Sequence, residues 1–167
     1  VGFDVMFKPT FAETLTHISQ YGGPADYVDT VRKSSRMGSK DFHTLMICAM
    51  AASYDPIESS LDNPFGIRLP IDLETCEIKE DMWINWLAFD PLEILEQKHE
   101  NLNSLDVLFI DCGNQDQYGI QYGSRKFVKR MIDLGVKHTW EEFDGTHSGI
   151  DYRLDISMPL LAKALSN

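Results

Sequence analysis

Basic residues are in short supply. The chain has 15 Lys and Arg against 26 Asp and Glu, a formal net charge of −11 over 167 residues. Nucleic-acid binding needs a basic footprint, and an anionic membrane surface attracts one, so both are set aside as partners. Cysteine is scarce as well. Cys48, Cys76 and Cys112 are odd in number and match no metal or redox spacing, so reduced and mostly buried thiols in a cytoplasmic protein are expected. Long apolar runs are missing: the longest, Leu45 to Ala52, falls far short of the roughly 20 residues of a membrane span. Neither a repeat nor a low-complexity tract occurs. No signal peptide and no initiator Met precede Val1, and the chain reads as a fragment whose parent could carry a leader upstream.

What is present changes along the chain. Phe3, Val5 and Phe7 alternate with Asp4 and Met6, which predicts a strand over 2–7 ended by Pro9. Phe11 to Gln20 reads as a short helix closed by Gly22-Gly23-Pro24. A helix capped by Asp41 is expected over 42–53, with Phe42, Leu45, Met46, Ala49 and Met50 on its buried face. Pro56, Pro64, Gly66 and Pro70 then punctuate a surface loop that also holds Phe65. Trp83, Trp86 and Phe89 recur at helical spacing, and Asp90-Pro91-Leu92-Glu93 reads as a capping box opening a helix to about Asn101. Residues 21–104 together read as a helical insert that caps a site.

The last third has a different grammar. Val107-Leu108-Phe109-Ile110 is a continuous apolar run, the mark of a parallel strand covered on both faces. An amphipathic helix is expected over 119–134 with Gly135 as its left-handed cap, then a second strand over 138–143 and a helix between Tyr152 and Leu165. This is a βαβα order, and the predicted class is α/β: the last three strands of a parallel sheet, counting the one over 2–7. In such sheets the chemistry sits in the loops at the carboxyl ends of the strands.

Those two loops are Asp111 to Tyr118 and Asp144 to Gly149. The first offers carboxylates, with Asp116 on the loop and Asp111 at the strand end. The second offers His147. A carboxylate bonded to one ring nitrogen of a histidine fixes its tautomer and stabilises the imidazolium formed when the other nitrogen takes a proton. The order acid then histidine is that of α/β-hydrolases, in which a nucleophilic Ser on Gly-x-Ser-x-Gly comes first. No such pentapeptide occurs here, nor a His-Gly-Gly oxyanion loop.

Leu108-Phe-Ile-Asp-Cys-Gly-Asn-Gln-Asp-Gln-Tyr118, Glu141-Glu-Phe-Asp-Gly-Thr-His-Ser148 and Asp151-Tyr-Arg153 resemble the C-terminal half of the α/β-hydrolases that include esterase D and enterochelin esterase-like enzymes. Pro70-Ile-Asp, Trp86-Leu and Asp90-Pro91 are similar to the insert of some members. The likeness is strongest over 105–155 and looser over 1–104. It implies a partial α/β-hydrolase domain over 1–167 with Asp116 as triad acid and His147 as triad base. The nucleophilic Ser and the oxyanion loop would lie upstream of Val1. The implied activity is hydrolysis of a small-molecule carboxylic ester without a cofactor. An inactive scaffold serving as a binding or interaction module is the alternative.

Other residues are assigned plainer parts. Trp86 and Phe65 are the candidate substrate contacts, although core packing is the commoner fate of such aromatics. Cys112 reads as buried and inert. His138, Asp144 and Asp151 are too irregularly spaced for a metal site. His17, His43 and His99 are expected on the surface or on helix faces. The strand over 3–7 would expose an unpaired edge through which copies of the chain could associate.

Overall fold

The computed structural model describes residues 1–166. The chain separates into two compact units, one of Phe7–Phe89 and one of Val1–Met6 together with the chain from Asp90 onward. These limits differ from the 21–104 expected for the helical insert. No described helix is long and apolar enough to cross a membrane.

The expected first strand is a helix, α1, over Phe3–Ile18. Phe3, Phe7, Phe11, Thr14 and Ile18 recur at helical spacing and all are buried. That stripe outweighs the local alternation, even with Pro9 inside the helix. A proline there costs about 3 kcal/mol. Each large apolar side chain that the stripe buries returns about 1.5–3 kcal/mol. The predicted sheet therefore loses its first strand, and the free edge assigned to residues 3–7 does not exist.

In the 7–89 unit, α2 (Pro24–Lys33) starts on a proline at its first turn. Helix α3 (Ser39–Tyr54) begins earlier than expected: Gly38 is its N-cap, and the Asp41 carboxylate reaches back to accept from the Gly38 N–H at 2.8 Å. Its buried face is Thr44, Ile47, Cys48 and Ala51, while Phe42 is exposed. Leu45 and Met46 are half-buried. The helix is apolar over so much of its circumference that periodicity alone picks the wrong stripe. The following loop is tied by Asp55, whose buried carboxylate accepts two hydrogen bonds from Arg68 and one from Asn85. Helix α4 (Glu80–Leu87) buries Trp83 and Trp86, and Phe89 lies exposed beyond its end.

The other unit is organised around a buried carboxylate and a parallel strand pair. Asp90 is 1% exposed and caps two helices. It accepts from Gly2 N–H at 3.0 Å and Phe3 N–H at 2.6 Å at the start of α1. It also accepts from Leu92 N–H at 3.0 Å in α5 (Pro91–Asn103). Strand β1 (Phe109–Gly113) and strand β2 (Thr139–Phe143) pair in parallel, Phe109 with Thr139 through Gly113 with Phe143. Between them runs α6 (Ile120–Asp133). It closes as the sequence predicts. Gly135 turns left-handed at φ 68°, Val136 N–H bonds back to Met131 and Gly135 N–H to Ile132. Leu95, Val128, Met131 and Val136 form the core, with Ile110, Phe127 and Trp140 packed on it. Helix α7 (Leu154–Leu165) follows a short turn over Asp151–Arg153 and carries Pro159 inside it. The protein is thus a mixed α/β chain whose sheet has two strands among the described residues.

Candidate active site

The loops after β1 and β2 are stitched together residue by residue. The strand ladder continues beyond its last pair, with Asn114 N–H donating to the Phe143 carbonyl and Gln115 N–H to the Gly145 carbonyl, each at 2.9 Å. The Gln115 side-chain amide donates to Asp144 at 2.6 Å, and His147 N–H donates to the Gln117 side chain at 3.0 Å. Gly113 permits the approach: a Cβ there would lie 2.4 Å from the Gly145 carbonyl oxygen.

Asp116 and His147, 31 residues apart in sequence, meet in this seam with His147 Nδ1 2.9 Å from Asp116 Oδ2. A carboxylate oxygen can only accept, so the imidazole proton sits on Nδ1 and Nε2 is the acceptor that remains. The other oxygen, Oδ1, accepts from Tyr118 N–H at 2.8 Å and more weakly from Ile120 N–H at 3.4 Å. The Asp116 side chain is 3% exposed, whereas that of His147 is 47% exposed. One end of the pair is therefore locked inside the protein and the other reaches solvent. The Tyr118 ring stands edge-on to the imidazole at 5.0 Å and limits its rotation.

Asp111, the rival acid, is engaged elsewhere: its carboxylate accepts from Arg153 Nε at 2.8 Å. Cys112 is 7% exposed, and burial pushes its thiol up, with the Asp116 charge adding to the shift. Both effects disfavour the thiolate, the form in which a cysteine is nucleophilic. The thiol donates to the Gly113 carbonyl at 3.6 Å. No side-chain hydroxyl among the described residues bonds His147. Trp86 and Phe65 belong to the 7–89 unit. Trp86 is wholly buried core there, edge-on to Phe7 and Phe11 at 5.4 Å. Phe65 is half-buried under the Arg32 guanidinium at 5.5 Å. The described residues hold no cluster of three or more His, Cys, Asp or Glu side chains arranged for a metal ion.

Sequence reasoning did not anticipate the contacts of Arg153, which lies just past the His147 loop and donates to both Asp111 and Glu141. A tight carboxylate–imidazole pair with one exposed ring nitrogen can take a proton from a hydroxyl or water and give it back. No protein-family model matches the chain, and no curated protein is significantly similar to it.

Proposed function

We propose that Asp116 and His147 are the acid and base of a serine ester hydrolase of the α/β-hydrolase type. The nucleophile and the oxyanion donors would be carried by polypeptide outside these 167 residues. The observation that carries this reading is the 2.9 Å bond between Nδ1 of a half-exposed His147 and a buried Asp116, which leaves Nε2 as the ring's remaining acceptor. The chain order supports it, because strand, acid loop, helix, strand, histidine loop is the closing sequence of that fold. On this reading β1 and β2 are the last strands of a larger parallel sheet.

In the reaction, the Ser hydroxyl attacks the ester carbonyl while His147 Nε2 takes its proton. Asp116 holds the ring and stabilises the imidazolium. The tetrahedral oxyanion collapses, the alkoxide leaves with the proton from Nε2, and an acyl-enzyme remains. Water, deprotonated by Nε2, then attacks the acyl carbonyl. The second tetrahedral intermediate collapses with cleavage of the Ser O–acyl bond, the Ser oxygen takes the proton back from Nε2, and the carboxylic acid leaves. No cofactor enters these steps.

The test has two arms, both read with p-nitrophenyl acetate. The 167-residue chain alone is expected to show neither turnover nor a burst. The product of the same coding sequence extended upstream is expected to hydrolyse the ester and to lose that activity on His147→Ala. A burst from the short chain would overturn the reading. So would hydrolysis by the long one that ignores His147→Ala, or an extended protein with no activity, which is the behaviour of a binding module.

A further inference from the structure

We infer that Arg153 is a positioning residue for the Asp116–His147 pair, cancelling the repulsion between two carboxylates that face each other across the strands just ahead of it. The inference rests on the acid–base reading of that pair.

The parallel register sets Asp111 of β1 directly opposite Glu141 of β2. Like charges opposite one another on a sheet push the strands apart. Two residues further on, Gly113 and Phe143 form the last pair of the ladder. The loops with Asp116 and His147 begin there, so a splayed ladder at Asp111 and Glu141 would be passed straight to the site.

Arg153 sits at that point. Its Nε donates to Asp111 Oδ2 at 2.8 Å, and an amino group of the same guanidinium donates to Glu141 Oε2. One planar cation therefore bridges both strands, which a lysine ammonium cannot reproduce with the same fork. The guanidinium also lies over the Phe143 ring at 4.6 Å, and its side chain is 14% exposed. Arg153 immediately follows the segment 144–152 that carries His147. That segment is thus anchored at one end by β2 and at the other by the arginine's grip on both strands. Arg125 offers an internal control. It pairs with Glu142 of β2 from α6, at 2.8 Å from Nε, and its guanidinium hydrogen bonds go to that one strand.

The test needs no substrate. The readout is solvent exchange of the His147 Nδ1 proton by NMR on the 167-residue chain. Arg153→Met is expected to speed exchange by roughly tenfold or more while amides of α5 and α6 keep their protection. Arg125→Met is expected to change it by less than about twofold. Adding Asp111→Asn and Glu141→Gln to Arg153→Met removes the repulsion and is expected to bring exchange back to within about threefold of the parent. Unchanged exchange in Arg153→Met, an equal effect of Arg125→Met, or no recovery on neutralising the carboxylates would each overturn the inference. If Arg153→Met does not fold, Arg153→Lys carries the test, with exchange expected to rise about threefold and constancy overturning it. An Arg153 effect in a protein whose extended form hydrolyses no ester would overturn the proposed function and leave the positioning role standing.

Discussion

Gly113 and the Gly145 carbonyl oxygen approach so closely that a Cβ on Gly113 would sit 2.4 Å from that oxygen and 2.8 Å from the carbonyl of Thr146. Both obstacles are backbone, which cannot swing aside as a flexible side chain can. Gly113→Ala is therefore expected to force the two loops apart, at a cost of about 1–3 kcal/mol. Urea unfolding would measure the loss, and the His147 side-chain resonances would report the separation. A variant with unchanged stability and unchanged His147 resonances would show that the loops tolerate the methyl group.

Asp90→Ala removes the carboxylate that accepts from Gly2, Phe3 and Leu92 N–H groups. Two helix starts lose their cap at once, each worth roughly 0.5–2 kcal/mol. A total loss of about 1–4 kcal/mol is expected in chemical denaturation. Amide exchange should accelerate at the first turns of α1 and α5 together. Acceleration confined to α5 would mean that the long-range half of the cap contributes nothing.

The cysteines should react in a definite order. Burial pushes the Cys48 thiol up to about 12 and also raises Cys112. Cys76 is only half-buried. Iodoacetamide at pH 8 is expected to modify Cys76 in the native chain and to reach Cys48 and Cys112 only after denaturant is added. Peptide mass spectrometry would follow this, and native-state labelling of Cys112 as fast as Cys76 would sink the view that it is inert.

The 72–78 turn should be resistant to acid. The Asp72 carboxylate accepts from Thr75 and Glu74 N–H groups, with Lys79 nearby, and is held down to about 2 from its ordinary 3.8. A depressed carboxylate stabilises the fold fully above its ordinary value, and that contribution is lost only as pH falls through the folded value. The Glu74 and Thr75 amide shifts are therefore expected to titrate with a midpoint of about 2. A midpoint at 3.8 would show that the turn is open in solution.

The C-terminal elements were readable because each carried a self-sufficient local signal. An apolar run over 107–110 marked a strand there, although β1 is shifted to Phe109–Gly113, takes in Asp111 from the expected loop, and leaves that run half-buried rather than covered on both faces. Gly135 marked the end of α6, and Asp90-Pro91 marked the start of α5. Loop order brought His147 to one sheet edge with Asp111 and Asp116, because adjacent parallel strands deliver their loops to one edge, and the family resemblance chose Asp116. The hydrogen bond in the structure is to Asp116. Residues 3–7 misled because Phe3 and Phe7 satisfy a period of two and a spacing of four equally well. Only the continuation through Phe11, Thr14 and Ile18, beyond Pro9, separates strand from helix. The true buried stripe of α3 was hidden for a related reason, since Phe42, Leu45 and Met46 are as apolar as Ile47 and Ala51. Arg153 was invisible as a bridge because its partners, Asp111 and Glu141, are far from it and from each other in sequence and become neighbours only through strand register.

The double cap at Asp90 also bears on the order in which the chain is built. Gly2 and Asp90 are separated by 88 positions. Closing a loop of that length in a flexible chain costs on the order of 4 kcal/mol before any contact forms. Neighbouring helices and the β1–α6–β2 segment have far shorter loops to close. The start of α1 is therefore expected to be the last helix end to be capped, because its acceptor, Asp90, is not made until 88 residues after Gly2.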